Sequence, residues 1–302
     1  MIGIVIGGPT GVGKTSLSIK LAKLLNAVII NCDSMQIYKY MDIGTAKIRE
    51  DEKEGIPHYM FDIVDPIDKY SVGDYYRDVN ELLKDFEKQN KNVILVGVTG
   101  LYINSIVKGL SKLPEADLSL RKVFENLSTE ELYEKLKELD NEAAEEIHPN
   151  NRVRVERALE VCLLTNDKFS KLNKQNIKGN NYNFIQIALE TDRKILYDRI
   201  NYRVELMIEN GLVEEAKNIY EKYNTEKNKI KAIGYKELFD YFDGLISQEE
   251  AIEIIKKESR HYAKRQFTWF KRDIDYKWFD LGQIKEEKII DEILNFLNIF
   301  MA

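Results

Sequence analysis

The residues best suited to chemistry stand at the start of the chain, where Gly8-Pro9-Thr10-Gly11-Val12-Gly13-Lys14-Thr15 has the spacing G-x-x-x-x-G-K-[ST]. A turn of this kind points consecutive backbone N–H groups inward, and the helix that opens after it adds partial positive charge, so the turn is a cradle for phosphate. Lys14 is placed to neutralise phosphate oxygens, and the Thr15 hydroxyl to ligate Mg²⁺. The spacing speaks for phosphate and not for one reaction, because kinases, NTPases and some transferases all use it.

Two further clusters fall where strand ends are expected. Asp33-Ser34-Met35-Gln36-Ile37-Tyr38 follows the apolar run Ala27–Cys32, and in a parallel α/β sheet the loops after the strands line the ligand crevice. A carboxylate at position 33 can hold Mg²⁺ through water, act as a general base, or simply cap a turn. After the run Asn92–Val96 comes Gly97-Val98-Thr99-Gly100, where an ATPase would be expected to carry an aspartate. Small residues and a hydroxyl there suit either the close approach of a substrate or a tight strand-to-helix turn. Arg199 and Arg203 are helix neighbours, open to surface ion pairing or to phosphate contact. Arg152, Arg154 and Arg157 read as a solvated face, with phosphate contact as the sharper alternative. Lys257, Arg260, Lys264 and Lys271 recur at helical spacing among aromatics, a pattern fit for nucleic acid or for an amphipathic helix whose rings face the core.

The elements that must position these residues follow from periodicity. Ile2–Ile6, Ala27–Cys32, Asn92–Val96, Phe184–Leu189 and Tyr276–Phe279 read as strands, Phe61–Pro66 as a short strand, and the stretches 41–47 and 56–59 as loop. Helices are expected over Ser16–Leu25, Tyr75–Gln89, Thr129–Leu139, Val153–Leu164, Asp192–Asn210, and from Ser247 with Glu250 completing a capping box. From 113 to 181 helical patterns run without a strand, so this segment is expected to be a helical insertion between core segments 1–112 and 182–302, with Ser170–Asn183 as a polar linker.

With 302 residues, 44% hydrophobic and 32% charged, the chain has an ordinary globular composition, and its formal charge of −6 argues mildly against a polyanion partner except through local basic patches. Cys32 and Cys162 lie in apolar runs and read as core residues of a reducing compartment, and His58, His148 and His261 form no metal-ligand spacing with them. With no signal peptide and no membrane-length apolar run, the chain is expected to be cytoplasmic.

Taken together, the Gly8–Thr15 turn, Asp33–Tyr38, Asp42-Ile43-Gly44-Thr45-Ala46-Lys47, Ala232-Ile233-Gly234-Tyr235 and Ala263-Lys264-Arg265-Gln266 with Thr268-Trp269 resemble, in this order and over nearly the whole chain, the tRNA dimethylallyltransferases, also called tRNA isopentenyltransferases. Without a cysteine and histidine zinc finger towards its C-terminus, the chain is similar to the bacterial type. The resemblance implies an α/β fold, a P-loop NTPase-like parallel-sheet core with C-terminal tRNA-binding helices and a helical insertion. It implies transfer of a dimethylallyl group from dimethylallyl diphosphate to N6 of adenosine 37 in the anticodon stem-loop of tRNA; the chain is expected to use Mg²⁺ at Thr15 and to be a monomer. By the same resemblance Asp33 is the general base, Thr10, Lys14 and Arg203 handle the diphosphate on the Gly8–Thr15 nucleotide-binding turn, and Asp33, Ser34, Met35, Gln36, Thr99 and Arg121 contact tRNA. The competing readings are a small-molecule or nucleoside kinase using ATP, with Asp33 activating a hydroxyl, and a non-catalytic RNA-binding ATPase.

Overall fold

A computed structural model describes residues 1–175 and 182–301, the side chains of 298–301 excepted. Its chain contacts fall into two units, Met1–Val107 with Asn181–Ala302, and Lys108–Asn180.

The first unit is built on a parallel sheet of six strands, β1 (Gly3–Gly7), β2 (Ala27–Cys32), β3 (His58–Tyr59), β4 (Asn92–Gly97), β5 (Phe184–Glu190) and β6 (Lys277–Asp280), in the order β3-β2-β4-β1-β5-β6. The register sets Ile4 against Ile94 and Ile185, so β1 lies at the centre, and every residue of β1 is buried. A strand covered on both faces has no polar side, which is why Gly3–Gly7 reads as a continuous apolar run. The pleat divides it: Ile4 and Ile6 enter one apolar cluster with Leu17 and Leu21 of helix α1 (Lys14–Leu25), while Val5 enters the other with Leu83 of helix α2 (Val72–Lys88) and Ile103 of helix α3 (Gly100–Val107).

The short strand lies at His58–Tyr59 and not at Phe61–Pro66. Met60 and Asp62 have positive φ, 68° and 54°, which breaks the extended run, and beyond them only an isolated bridge joins Val64 to Tyr38. Helix α2 begins three residues before the expected Tyr75, because Ser71 and Asp74 close a capping box.

The second unit is helical, with α4 (Leu118–Glu125), α5 (Thr129–Leu139), α6 (Asn141–Glu146), α7 (Arg152–Thr165) and α8 (Phe169–Lys174) around Phe124, Leu132, Leu136, Val155 and Leu159. Ser128 and Glu131 box the start of α5. The expected polar linker is partly α8: Ser170 is buried and donates its hydroxyl to Asp140, which also accepts its N–H, and residues 176–181 lie outside the described ones. Nor do Arg152 and Arg157 form a solvated face. Arg152 donates to the carbonyls of Leu127 (2.8 Å) and Phe124 (2.7 Å), and Arg157 to Pro114 O (2.6 Å) and Glu160 (2.6 Å), so the guanidinium forks satisfy carbonyls at the end of α4 and in the loops flanking it.

The C-terminal part of the first unit adds α9 (Arg193–Glu209), α10 (Leu212–Lys222), α11 (Tyr235–Phe242), α12 (Gln248–Lys271) and α13 (Glu286–Met301). Val204, Leu212, Tyr235, Leu238 and Ile255 pack there with Met41 from the segment after β2. Among the described residues no helix is long and apolar enough to cross a membrane.

Candidate active site

The turn between β1 and α1 presents its backbone to a cavity of about 810 Å³ lined by Thr10, Gly11, Gly13, Lys14 and Thr15. Lys14 is 8% exposed and folds back to donate to Gly8 O (2.9 Å) and Pro9 O (2.7 Å). Burial, with Arg203 beside it, lowers its ammonium pKa to about 7, against a smaller upward pull from Asp33. The turn is held from two sides at Thr10, whose hydroxyl accepts from Arg203 Nη1 (2.8 Å) and whose N–H donates to Gln266 Oε1 (2.9 Å).

Arg203 reaches Thr10 because Leu196, Ile200 and Val204 bury the adjoining stripe of α9. Arg199 is exposed, so only one of the two neighbouring arginines serves the cradle. Desolvation lowers the Arg203 pKa, offset by the charge of Asp33.

Asp33 follows directly on β2. Its Oδ1 accepts the N–H of Met35 (2.8 Å), and Asn31 ties the start of the turn by accepting the N–H of Asp33 (3.1 Å) and donating to Met60 O (3.0 Å). Burial raises the Asp33 pKa above the ordinary carboxylate value, opposed by the Met35 N–H, Lys14, Arg203 and the Gln36 N–H. Its proton affinity is thus higher than that of a solvated carboxylate, although two cations face it. Next to it Thr99 Oγ1 accepts the Ser34 N–H (3.0 Å) and donates to Ser34 Oγ (3.2 Å), and Thr99 N–H donates to Cys32 O (3.0 Å). The Gln36 carboxamide donates to Thr45 O (2.9 Å) and Ala46 O (3.2 Å).

A second cavity, of about 370 Å³, is lined by Ser34, Met35, Gly44, Thr45, Tyr262 and Arg265 among others, and shares Thr10, Asp33 and Arg203 with the first. The carboxylate and the arginine therefore stand where the two cavities meet. Thr15 lines the larger cavity with Asp33, a hydroxyl and a carboxylate, hard oxygen donors of the kind that suit a cation such as Mg²⁺ completed by water and phosphate oxygens. His58 also lines this cavity, its Nδ1 within 2.8 Å of Ile56 O, and burial lowers its pKa.

Arg121 belongs to the helical unit. Its guanidinium forks onto Glu160 at 2.9 and 3.1 Å, and that fully buried carboxylate also accepts from Arg157 and from the Asp117 N–H. Burial pushes the Glu160 pKa up, but the two arginines and the N–H hold it below the usual value.

On α12 both patterns coexist. Phe270 is fully buried and meets Tyr276 edge-on, and the Trp269 indole covers Gly100, where a Cβ would lie 2.0 Å from Nε1. Trp269 also lines, with His261, Lys264, Arg265, Thr268 and Arg272, an open cavity of about 460 Å³. Lys271 departs from the cationic stripe, pairing with Glu190 (2.9 Å) and lying 3.8 Å above the Trp278 ring.

Gln266, Tyr262 and Glu215 carry roles that the sequence reading does not assign. Gln266 is 4% exposed on the phase of α12 that buries Ile255, Ala263 and Phe270, and a polar residue on a buried phase is the available signal. The Tyr262 hydroxyl sits with Gln266 and Thr99 beside Asp33, and burial raises its pKa to about 12. Glu215 has no signal in its own helix.

A family model described as IPP transferase matches residues 36–273. The chain is 55% identical over 296 residues to a tRNA dimethylallyltransferase of Fusobacterium nucleatum, covering 98% of this chain and 97% of that one, and 44% identical over 306 residues to one of Bacillus subtilis, covering 98% of each. It superposes with a TM-score of 0.74 and 41% identity on the tRNA isopentenylpyrophosphate transferase of Bacillus halodurans, over 98% of this chain and 95% of that one. A eukaryotic dimethylallyltransferase solved in the act of modifying tRNA gives a TM-score of 0.81 at 30% identity, over 93% of this chain and 74% of that one. Similarity of this extent and identity, from sheet to terminal helices, makes the chain a member of the IPP transferase family.

Proposed function

We propose that this chain transfers a dimethylallyl group from dimethylallyl diphosphate to the N6 amine of adenosine 37 in the anticodon stem-loop of tRNA. The observation that carries the reading is the junction of the two cavities, where one carboxylate, Asp33, faces a phosphate cradle closed by Lys14, Thr10 and Arg203. An adenine N6 amine is a weak nucleophile because its lone pair is delocalised into the ring, so attack on an allylic carbon needs an acceptor for the amine proton. In the step proposed, the N6–C bond forms as the allylic C–O bond breaks. The electron pair of that bond leaves with the diphosphate, and the amine proton passes to Asp33. The turn amides, Lys14 and Arg203 stabilise the charge that gathers on the leaving group, and Thr10 holds the guanidinium in place. Mg²⁺ held at Thr15 would supply further neutralisation of the diphosphate.

The exposed cations Lys264 and Arg265, with Arg272, give the chain a local positive surface despite its net negative charge, as a tRNA backbone requires. The two buried free cysteines accord with a reducing cytoplasm, and the chain is proposed to act as a monomer.

The test is incubation of purified protein with unmodified tRNA, Mg²⁺ and either dimethylallyl diphosphate or ATP, followed by nucleoside mass spectrometry. One dimethylallyl group gained on adenosine, with the allylic diphosphate only, is the expected result. ATP consumption without that gain would replace the reading with a kinase or ATPase.

A further inference from the structure

The loop Asp42–Ala46 forms the partition of the site: Asp42, Ile43 and Ala46 line the larger cavity, Gly44 and Thr45 the smaller. Its three leading amides are held by one carboxylate from α10. Glu215 Oε2 accepts the N–H groups of Asp42 (3.0 Å) and Ile43 (2.8 Å), and Oε1 accepts the N–H of Gly44 (3.0 Å) and the hydroxyl of Tyr235 (2.6 Å). Three consecutive amides pointing one way form an anion nest, and here the anion is a side chain of the same molecule. Tyr235, fully buried at the start of α11, supplies the surface against which Gly44 lies, and a Cβ at position 44 would fall 2.6 Å from its ring.

The loop in turn fixes Gln36, whose carboxamide donates to the carbonyls of Thr45 and Ala46, and its chain neighbour Met35 donates its N–H to Asp33 Oδ1. Hydrogen bonds thus run from Glu215 through the loop to Gln36, and the backbone joins Gln36 to Met35, which bonds the carboxylate at the junction. We propose that Glu215 is a positioning residue for the transfer reaction, setting the partition loop and through it the Gln36–Asp33 turn. This rests on the function proposed above.

The informative variant is Glu215→Gln, which keeps size and shape but puts an NH₂ donor against N–H donors in either orientation. Three measurements are made on purified protein: thermal midpoint, hydrogen exchange of the peptide covering 42–46, and steady-state transfer to tRNA. We expect the midpoint to move by only a few degrees and loop exchange to accelerate about 10-fold or more. kcat should fall on the order of 10–100-fold, as for reacting groups misplaced by about 1 Å, while KM for dimethylallyl diphosphate changes less than about 3-fold because the cradle is not touched. Gly44→Ala displaces the same loop with Glu215 intact and should reproduce the kcat loss. Tyr235→Phe removes one of four bonds and should leave kcat within about 3-fold of wild type. If Glu215→Gln does not fold, Gly44→Ala alone decides between loop placement and no effect. Unchanged loop exchange in Glu215→Gln overturns the anchoring, and faster exchange with normal kcat overturns the positioning role. A wild-type chain that transfers no dimethylallyl group overturns the function itself, a result distinct from either.

Discussion

Asp33→Asn separates the base from the scaffold. An asparagine keeps the oxygen that accepts the Met35 N–H at 2.8 Å, so the turn after β2 keeps its anchor while the proton acceptor and its charge are lost. General-base catalysis contributes about 10²–10⁴-fold, which at 1.36 kcal/mol per tenfold is roughly 2.7–5.4 kcal/mol of barrier. kcat should fall by that factor.

The affinity for the diphosphate should change little, because two effects oppose. Removing a negative charge relieves repulsion of the anion, but Asp33 also raises the Lys14 pKa, so its loss takes Lys14 below about 7 and leaves less ammonium at neutral pH. Single-turnover transfer from labelled dimethylallyl diphosphate, with both substrates saturating, reads the step directly. A pH series adds a second test. Burial raises the Asp33 pKa, and the base acts deprotonated, so the wild-type rate should fall as pH drops through a value above the ordinary 3.8, and this limb should vanish in the variant. A variant within tenfold of wild type refutes the base assignment. Recovery at high Mg²⁺ refutes it as well, and makes Asp33 a metal-site residue.

Three further outcomes follow from the same geometry. Arg203→Ala removes both the guanidinium facing the diphosphate and its bond to Thr10, so kcat should fall about 10²–10³-fold in the same assay, and Thr10→Ala should cost less because the guanidinium remains. Burial lowers the Lys14 pKa to about 7 and an anionic diphosphate raises it, so binding at pH 8 should take up protons; calorimetry in buffers of different ionisation enthalpy should show this, with affinity weakening as pH rises above 7, and buffer-independent heats would refute it. Glu160→Gln leaves Arg121 and Arg157 without their shared carboxylate and should destabilise the helical unit by about 2–4 kcal/mol, the partly exposed arginines keeping it below the cost of a fully buried pair. Because the Glu160 pKa is held below 4.5, its contribution is complete above that pH and is lost as pH falls through the lowered value, which proteolysis of the unit across pH 3–7 would reveal.

The parts of the site legible in the sequence are those whose chemistry demands a local arrangement. The phosphate turn needs its glycines, lysine and threonine at fixed offsets between a strand and a helix, and Asp33 is found because strand ends in a parallel sheet face the crevice. Arg203 is half legible: the stripe Leu196, Ile200, Val204 fixes the buried phase of α9, but only the fold shows that Thr10 lies beside it. The arginines of α7 mislead for the opposite reason, since the carbonyls they satisfy lie at the end of α4 and in the loops flanking it, whose course no periodicity reveals. Glu215 is the limiting case: it serves amides on a loop some 170 positions earlier in the chain, and its own helix would form equally well with the side chain in solvent. Gln266 lies between these extremes. A carboxamide on the phase of Ile255, Ala263 and Phe270 must find partners indoors, so the sequence alone says that something polar faces α12 at that point, and the fold supplies Thr10. A polar residue on the buried phase of a helix is therefore readable as a statement about its unseen neighbour, and here that neighbour is the phosphate cradle.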